Sequence, residues 1–109
     1  MRNSKLKCGA VADYRLSSQA KADLREIYRY GVATFGERQA DAYLLAFYDR
    51  FAQIAKMPDS FPSAFDVDEG LRRSVCGQDT IYYAERDGTV VIEFINGRQD
   101  VRQRRGTET

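Results

Sequence analysis

Hydrophobic residues recur at two different periods along the chain, and the change of period divides it into a helical half and a strand half. Residues 13–17 alternate apolar and polar side chains, which predicts a short strand, and Ser17 or Ser18 stands where a helix N-cap belongs. The next stretch repeats its apolar positions at three and four residues, the period of an amphipathic helix, and Gly36 is its predicted C-cap. The apolar face of this helix consists of Ala20, Leu24, Ile27, Tyr28, Val32 and Phe35.

A second helical pattern follows after a predicted link of about four residues. It ends at Met57-Pro58, because a residue before proline is pushed out of the helical region. Two amphipathic helices with so short a link run antiparallel, and they need a sheet to cover their apolar faces. Residues 58–70 hold both prolines and predict a loop, with Phe61 and Phe65 packed onto the body of the domain. The apolar positions of the second helix are Ala40, Tyr43, Leu44, Phe47, Phe51, Ile54 and Ala55.

From Leu71 onward the period of the apolar positions changes to two, which predicts strands. The predicted strands are 71–76, 80–86 and 89–95, with a turn at 77–79. Asp87-Gly88 is the dipeptide typical of a type I′ hairpin. The pattern therefore predicts an α+β domain of order β-α-α-β-β-β, in which a helical hairpin packs on an antiparallel sheet.

A two-residue hairpin loop at Asp87-Gly88 also predicts the strand register, with Arg86 opposite Thr89 and Ile81 opposite Phe94. One sheet face is then a core face, composed of Ile81, Tyr83, Val90, Ile92 and Phe94. The other face is still half apolar, which indicates a partner unless the tail or the first strand covers it. Its residues are Thr80, Tyr82, Ala84, Val91, Glu93 and Ile95.

The amino-acid composition excludes several classes of catalytic and metal site. The chain has 109 residues, a net charge of +1 and no histidine, which excludes Ser-His-Asp and Cys-His triads and every His-ligated metal site. Its two cysteines form no CxxC pair, so neither a metal site nor a cofactor is expected. No apolar run is long enough to span a membrane, and we expect a cytoplasmic protein. One domain is expected at 12–101, between a flexible leader at 1–11 and a basic tail at 102–109.

The charges are unevenly distributed along the chain. Residues 18–69 carry six basic and nine acidic side chains, whereas basic character gathers at the two ends. Solvated termini explain such a pattern, and so does an electrostatic contact with an acidic partner. At the C-terminal end the charged residues are Arg98, Asp100, Arg102, Arg104, Arg105 and Glu108.

Five short segments, in this order and spacing, resemble the ParE toxins of the RelE/ParE superfamily. The resemblance covers about Tyr14 to Val101, or four-fifths of the chain. The segments are Tyr14-Arg15-Leu16-Ser17, the helix junction from Phe35-Gly36-Glu37 to Gln39-Ala40, Gly70-Leu71-Arg72, Ile81-Tyr82-Tyr83 and Gly97-Arg98-Gln99-Asp100.

The resemblance implies the toxin of a type II toxin–antitoxin pair that inhibits DNA gyrase by binding, without catalysis. A ParD-like antitoxin would neutralise it by folding onto the groove between the helices and onto the second sheet face, and contact with DNA would be indirect. The candidate antitoxin-binding residues are Tyr82, Ala84, Val91, Glu93 and Ile95. The candidate target-binding residues are Arg72, Tyr82, Arg98, Asp100, Arg102, Arg104 and Arg105.

Two alternatives stay open at this point. RelE-type relatives cut mRNA on the ribosome, which needs a base, an acid and cations around the scissile phosphate. Arg72, Arg73 and Arg98 are candidate cations and Tyr82 or Tyr83 a candidate acid, but without histidine the base would be Asp79, Glu85, Glu93 or a lysine with a shifted pKa. The second alternative is an inactive homologue that acts only as antitoxin partner or co-repressor.

Overall fold

The computed structural model describes residues 14–97 and places two helices against one face of a four-stranded sheet. The sheet order is β1-β4-β3-β2, antiparallel except that β1 runs parallel to β4. The expected fold class is confirmed, and the parallel first strand makes the sheet mixed. The elements are β1 (Tyr14–Leu16), α1 (Ser18–Phe35), α2 (Glu37–Lys56), a 3-10 turn (Pro58–Ser60), β2 (Arg72–Cys76), β3 (Asp79–Arg86) and β4 (Thr89–Gly97).

The two helices meet at a single residue. Ser17 caps α1 by accepting the Ala20 N–H at 2.9 Å, and Gly36 ends α1 with a φ of 97° and starts α2 at once. The predicted link of about four residues is therefore wrong, because one glycine reverses the chain direction. Gly31 lies against Ala40, where an added Cβ would stand 3.2 Å from the Ala40 Cβ, so two small residues let the helices approach closely.

The main core lies between the helices and the sheet. Phe47, Phe51 and Ile54 of α2 are fully buried and pack against a sheet face that includes Ile81 and Ile92. Burying a side chain of this size contributes about 1.5–3 kcal/mol, so α2 supplies much of the stability of the domain.

A β-bulge in β4 changes the predicted register. Tyr83 pairs with Ile92 as expected, but Tyr82 pairs with Phe94, so Glu93 is an extra residue on β4. The predicted pairing of Ile81 with Phe94 is wrong: Ile81 faces Ile95 instead. Phe94 consequently lies on the second face of the sheet and Ile95 in the main core.

Two polar side chains of the α1 region satisfy the backbone around this bulge. The Ser17 hydroxyl donates to the carbonyl of Glu93 at 2.5 Å, and Asp23 accepts the N–H of Ile95 at 2.9 Å. A bulge displaces backbone groups from the regular ladder, and buried groups of this kind need other partners. These bonds fix the start of α1 on the last strand.

The loop after α2 contacts both faces of the sheet. Phe61 packs edge-on against Tyr83 as predicted, with ring centroids 6.3 Å apart. Phe65 does not pack, since it is 73% exposed, and the prediction for it is wrong. The buried residue of this loop is Ala64, which with Leu71 contacts the Tyr82 region of the sheet.

Tyr43 ties α2 to the turn between β2 and β3. Its hydroxyl lies 2.8 Å from the Asp79 carboxylate and accepts the Gln78 N–H at 2.9 Å. Burial and the bond to Asp79 together raise the pKa of Tyr43 well above its ordinary value. The ring also occupies the space beside Gly77, where a Cβ would come within 2.5 Å of the ring carbon Cε1.

Candidate partner-binding groove

A groove with a volume of about 730 Å³ opens to solvent between α1 and α2. It ends at Leu16 of β1, so the helix pair and the edge of the sheet form it together. A cavity of this size is in the range that binds a ligand or an inserted side-chain cluster. Its aliphatic lining consists of Leu16, Leu24, Val32, Ala33 and Leu44, and the rings of Tyr28 and Tyr48 complete it.

The groove exists because the sheet covers only part of α1. The buried residues of α1 are Ala20, Leu24 and Gly31, and the apolar stripe continues beyond them to the exposed side chains of Val32 and Phe35. Val32 is 37% exposed and Phe35 is 59% exposed, so the prediction that both lie on a buried face is wrong. Where the apolar stripe of a helix extends beyond the sheet that it packs on, the extra apolar residues contact solvent or a partner.

Further exposed apolar side chains lie on the same two helices. Tyr30 and Phe35 stand edge to face with ring centroids 6.4 Å apart, and both are more than half exposed. Leu45 is 64% exposed, and Tyr48, which lines the groove, is 39% exposed. The outer side of the helix pair is thus apolar over a wider area than the groove alone.

Three cations line one side of the groove. Lys21, Arg25 and Arg29 follow one another at four-residue intervals on α1, so they project from the same side of the helix. Arg29 pairs with Glu26 at 3.1 Å in an exposed ion pair, which is worth little in water. The side chains of Lys21 and Arg25 form no ion pair or hydrogen bond within residues 14–97. We call these three residues the cationic row.

A hydrogen bond across the groove links the two helices. The Tyr28 hydroxyl donates to Asp41 of α2 at 2.7 Å, and this bond is the main cause that raises the pKa of Tyr28. The bond fixes a ring that lines the groove. The bond and the close contact of Gly31 with Ala40 both join α1 to α2.

The second sheet face differs from the expectation that it is exposed. Tyr82, Ala84 and Val91 are at most 6% exposed, and Ile95 is 2% exposed in the main core. The expectation of an exposed apolar face is therefore wrong for these four candidate antitoxin-binding residues. Glu93 is the partly exposed member, and its carboxylate accepts a hydrogen bond from Arg86 at 2.7 Å.

Tyr82 lies inside a stack of planar groups on this face. Its ring stacks on Phe94 with centroids 4.7 Å apart, and the Arg73 guanidinium lies 5.7 Å from its ring centroid on this face. Arg73 also forms an ion pair with Asp66. A guanidinium beside an aromatic ring stabilises the stack, so the geometry explains the burial of Tyr82 as packing.

The candidate target-binding residues divide between the described and the undescribed parts of the chain. Arg72 donates to the Phe61 carbonyl at 2.6 Å and lies 3.7 Å from Asp59, an arrangement that holds the loop. Arg72 and Tyr82 are therefore engaged within the domain. The other candidates, Arg98, Asp100, Arg102, Arg104 and Arg105, lie outside the described residues, as do the leader and the basic tail.

Several of the groups that an mRNA-cleaving site would need form contacts within the described residues. Tyr83 donates to the Pro58 carbonyl at 2.5 Å, and burial raises its pKa to about 12. Asp79 is bonded to Tyr43. Within residues 14–97 no three His, Cys, Asp or Glu side chains gather where they would hold a metal ion, and no helix is long and apolar enough to cross a membrane.

Comparison with known proteins decides the family. A family model described as the ParE toxin of the type II toxin–antitoxin system parDE matches residues 14–101. The chain belongs to the ParE toxin family. The resemblance seen in the sequence motifs is thereby confirmed, and the match takes in every helix and strand described above.

Two relatives place this ParE-family chain more closely. Toxin ParE1 of Caulobacter vibrioides is 28% identical over 93 residues, which cover 85% of this chain and 97% of that protein. A solved structure of the chromosomal ParDE toxin–antitoxin system from P. aeruginosa shares the fold, with a TM-score of 0.71 and 15% identity. The structural match covers 80% of this chain and 96% of the other.

Sequence reasoning missed the cationic row and Asp23 of this ParE-family chain. The row is visible in the sequence as cations four residues apart, next to the apolar stripe of the first helix. Asp23 carries no such signal, because its role depends on a bulge in a strand 72 positions away.

Proposed function

We propose that this ParE-family chain inhibits DNA gyrase by binding to it, and that a ParD-like antitoxin neutralises the toxin by occupying the groove between α1 and α2. The observation that carries the antitoxin part is the groove itself, an apolar surface that the domain leaves uncovered. A segment that folds as it binds needs such a surface, because burial must offset the entropy of ordering it.

The groove supports this proposal better than the second sheet face does. Tyr82, Ala84 and Val91 of that face are already buried within the chain, whereas Val32 and Tyr48 of the groove keep more than a third of their surface exposed. The solved structure that shares this fold is of a ParDE toxin–antitoxin system, which supports an antitoxin as the partner. We therefore assign the antitoxin to the groove.

Inhibition by binding is the form of the proposal that agrees with the described side chains. Arg72 and Tyr83 donate to loop carbonyls and Arg73 pairs with Asp66, so all three side chains hold the loop against the sheet. The proposal of gyrase as the target is supported by membership of the ParE toxin family. We propose that the basic C-terminal residues Arg98, Arg102, Arg104 and Arg105, with Asp100, meet the target, because they gather charge at one end of the chain.

Purified protein tests the target in two parallel assays. Gyrase supercoiling should fall, or cleaved DNA should accumulate, while mRNA on a programmed ribosome stays intact. Cut mRNA with normal supercoiling would contradict the proposal and favour the mRNA-cleaving alternative. If neither assay responds while an antitoxin still binds, the inactive-homologue reading replaces it.

Two matched valine variants test the place of the antitoxin. Val32→Asp puts a charge in the groove, and Val75→Asp puts the same charge on an exposed valine of β2, at 47% exposure, outside the groove. Growth rescue by the antitoxin encoded beside the toxin should fail for the first variant and persist for the second. Equal rescue of both variants would move the antitoxin off the groove.

Truncation after Val101 tests the basic tail. The truncated chain keeps every described element, so it should fold and still bind antitoxin while losing activity on gyrase. A truncated toxin that inhibits supercoiling as well as the full chain would show that residues 102–109 are not the target-binding end.

A further inference from the structure

Positive charge is concentrated along one side of the apolar groove. The cationic row of Lys21, Arg25 and Arg29 lies along the α1 side, while the α2 side contributes Leu44 and Tyr48 to the lining and the Asp41 carboxylate that Tyr28 binds. Residues four apart on a helix are separated by a rise of about 6 Å, so the row is about 12 Å long. The row is therefore long enough to meet two turns of a partner helix.

The row is not explained by the stability of the domain. Within residues 14–97 Lys21 and Arg25 have no acidic partner, and the ion pair of Arg29 with Glu26 joins two side chains that are about 70% exposed. Lys21 stands in the fourth position of α1, close to the helix N-terminus, where a positive charge opposes the helix dipole. Cations that the fold does not use are available to a partner.

On the basis of the proposed function, we propose that the cationic row selects the partner: the groove takes an amphipathic helix whose apolar face fills it and whose acidic side chains, spaced one turn apart, pair with Lys21, Arg25 and Arg29. The apolar lining beside the cations favours a peptide over a nucleic acid, because a phosphate backbone would leave the exposed surface of Val32 and Tyr48 uncovered. Charge complementarity of this kind sets partner choice more than it sets affinity.

Two designed peptides of about 18 residues probe the row, a length at which an amphipathic helix forms readily on a surface. Both carry the same leucine stripe, and they differ only in a one-turn-spaced row of either Glu or Lys beside it. Fluorescence anisotropy with the full chain should give at least about tenfold tighter binding for the Glu peptide at low salt. The preference should shrink at high salt, because the charges are exposed and screened.

Charge-reversal variants identify the residues responsible. Arg25→Glu should weaken the Glu peptide about five- to tenfold, and reversal of all three cations should transfer the preference to the Lys peptide. The matched control is Arg38→Glu, an exposed arginine of α2 outside the groove, which should change affinity less than about twofold. Circular dichroism of each variant confirms that the fold is intact.

The outcomes separate this inference from the proposed function. Equal effects of Arg25→Glu and Arg38→Glu, equal binding of the two peptides, or no binding of either would overturn the cationic row as a selector. If Val32→Asp abolishes binding of both peptides while the charges make no difference, the groove remains the docking site and only the selection fails. Preferred binding of a labelled DNA duplex over the Glu peptide would likewise overturn the inference.

Discussion

The side of the helix pair that faces the sheet and the side that faces away from it both carry large apolar side chains, but they differ in burial. On the inner side, Phe47, Phe51 and Ile54 are completely buried against the sheet. On the outer side, Phe35 and Leu45 are more than half exposed, although both stand on the same two helices. The sheet covers the apolar side chains of the inner side, whereas those of the outer side remain exposed and able to contact a partner.

This difference separates residues that hold the fold from residues that await a partner. The amphipathic period alone does not separate the two groups of residues. It depends on the spacing of apolar residues and not on whether another element packs against them. In a domain of this size the sheet covers one side of the pair only. Substitutions on the inner side should thus change stability, and substitutions on the outer side should change binding.

The largest effect is expected for Phe51→Ala. Phe51 packs against the rings of Tyr14, Phe47 and Tyr48, and its loss leaves a cavity that should lower the free energy of unfolding by about 3–5 kcal/mol. Urea unfolding measures it. Leu45→Ala on the outer side is the control and should stay within about 0.5 kcal/mol. Similar losses for both variants would erase the distinction between the two sides.

The next effect tests how the inner side is anchored to the sheet. Gly77→Ala should lower the free energy of unfolding by about 2–4 kcal/mol, because its Cβ meets the Tyr43 ring and its φ is +63°. Gly88→Ala is the control: it has a φ of +79° but open space, and should cost about 1 kcal/mol. A Gly77→Ala loss no greater than that of Gly88→Ala would mean that Tyr43 yields easily.

A smaller effect should appear at alkaline pH. Burial raises the pKa of Tyr83 to about 12, whereas the unfolded chain ionises near 10, so the folded state holds this proton more tightly. Stability is then fully present below about pH 10 and falls as the pH rises from 10 toward 12, at up to about 1.4 kcal/mol per pH unit.

Urea unfolding from about pH 8 to about pH 11 checks this dependence. The slope should decrease in Tyr83→Phe but not vanish, because burial also raises the pKa of Tyr14 and Tyr43. A free energy of unfolding that stays flat across this range would contradict the assignment of these hydroxyls to the interior.

The smallest effect is expected on the outer side, for Tyr28→Phe. The change removes the exposed hydrogen bond to Asp41 and keeps the ring that lines the groove. The urea midpoint should stay within the error of the fit, and antitoxin affinity should be nearly unchanged. A clear loss of affinity at unchanged stability would show that this bond sets the width of the groove.

Most of the secondary-structure elements could be predicted from signals that act over a few residues of the sequence. Ser17 as a cap and Gly36 at the end of α1 were predictable because each acts within a few residues. The Asp87-Gly88 turn was predictable for the same reason, and both residues have the positive φ that a type I′ turn needs.

The errors come from effects that act over long separations. The bulge at Glu93 depends on bonds from α1, so hairpin geometry alone placed Phe94 on the wrong face. The exposure of Val32 and Phe35 depends on how far the sheet extends beneath α1. The set of candidate antitoxin-binding residues inherited the first error, because the bulge moves Ile95 from the second sheet face into the main core.

The parallel first strand has a consequence for the order of events in the cell. Tyr14 pairs with Val90, so β1 can join the sheet only after β4 has been synthesised. The groove ends at Leu16 of the same strand. Contacts of such sequence separation form slowly, and synthesis proceeds from the N-terminus. A ribosome carrying a partly made chain therefore holds neither the finished toxin nor the finished docking surface, and both arise together when the last strand is released.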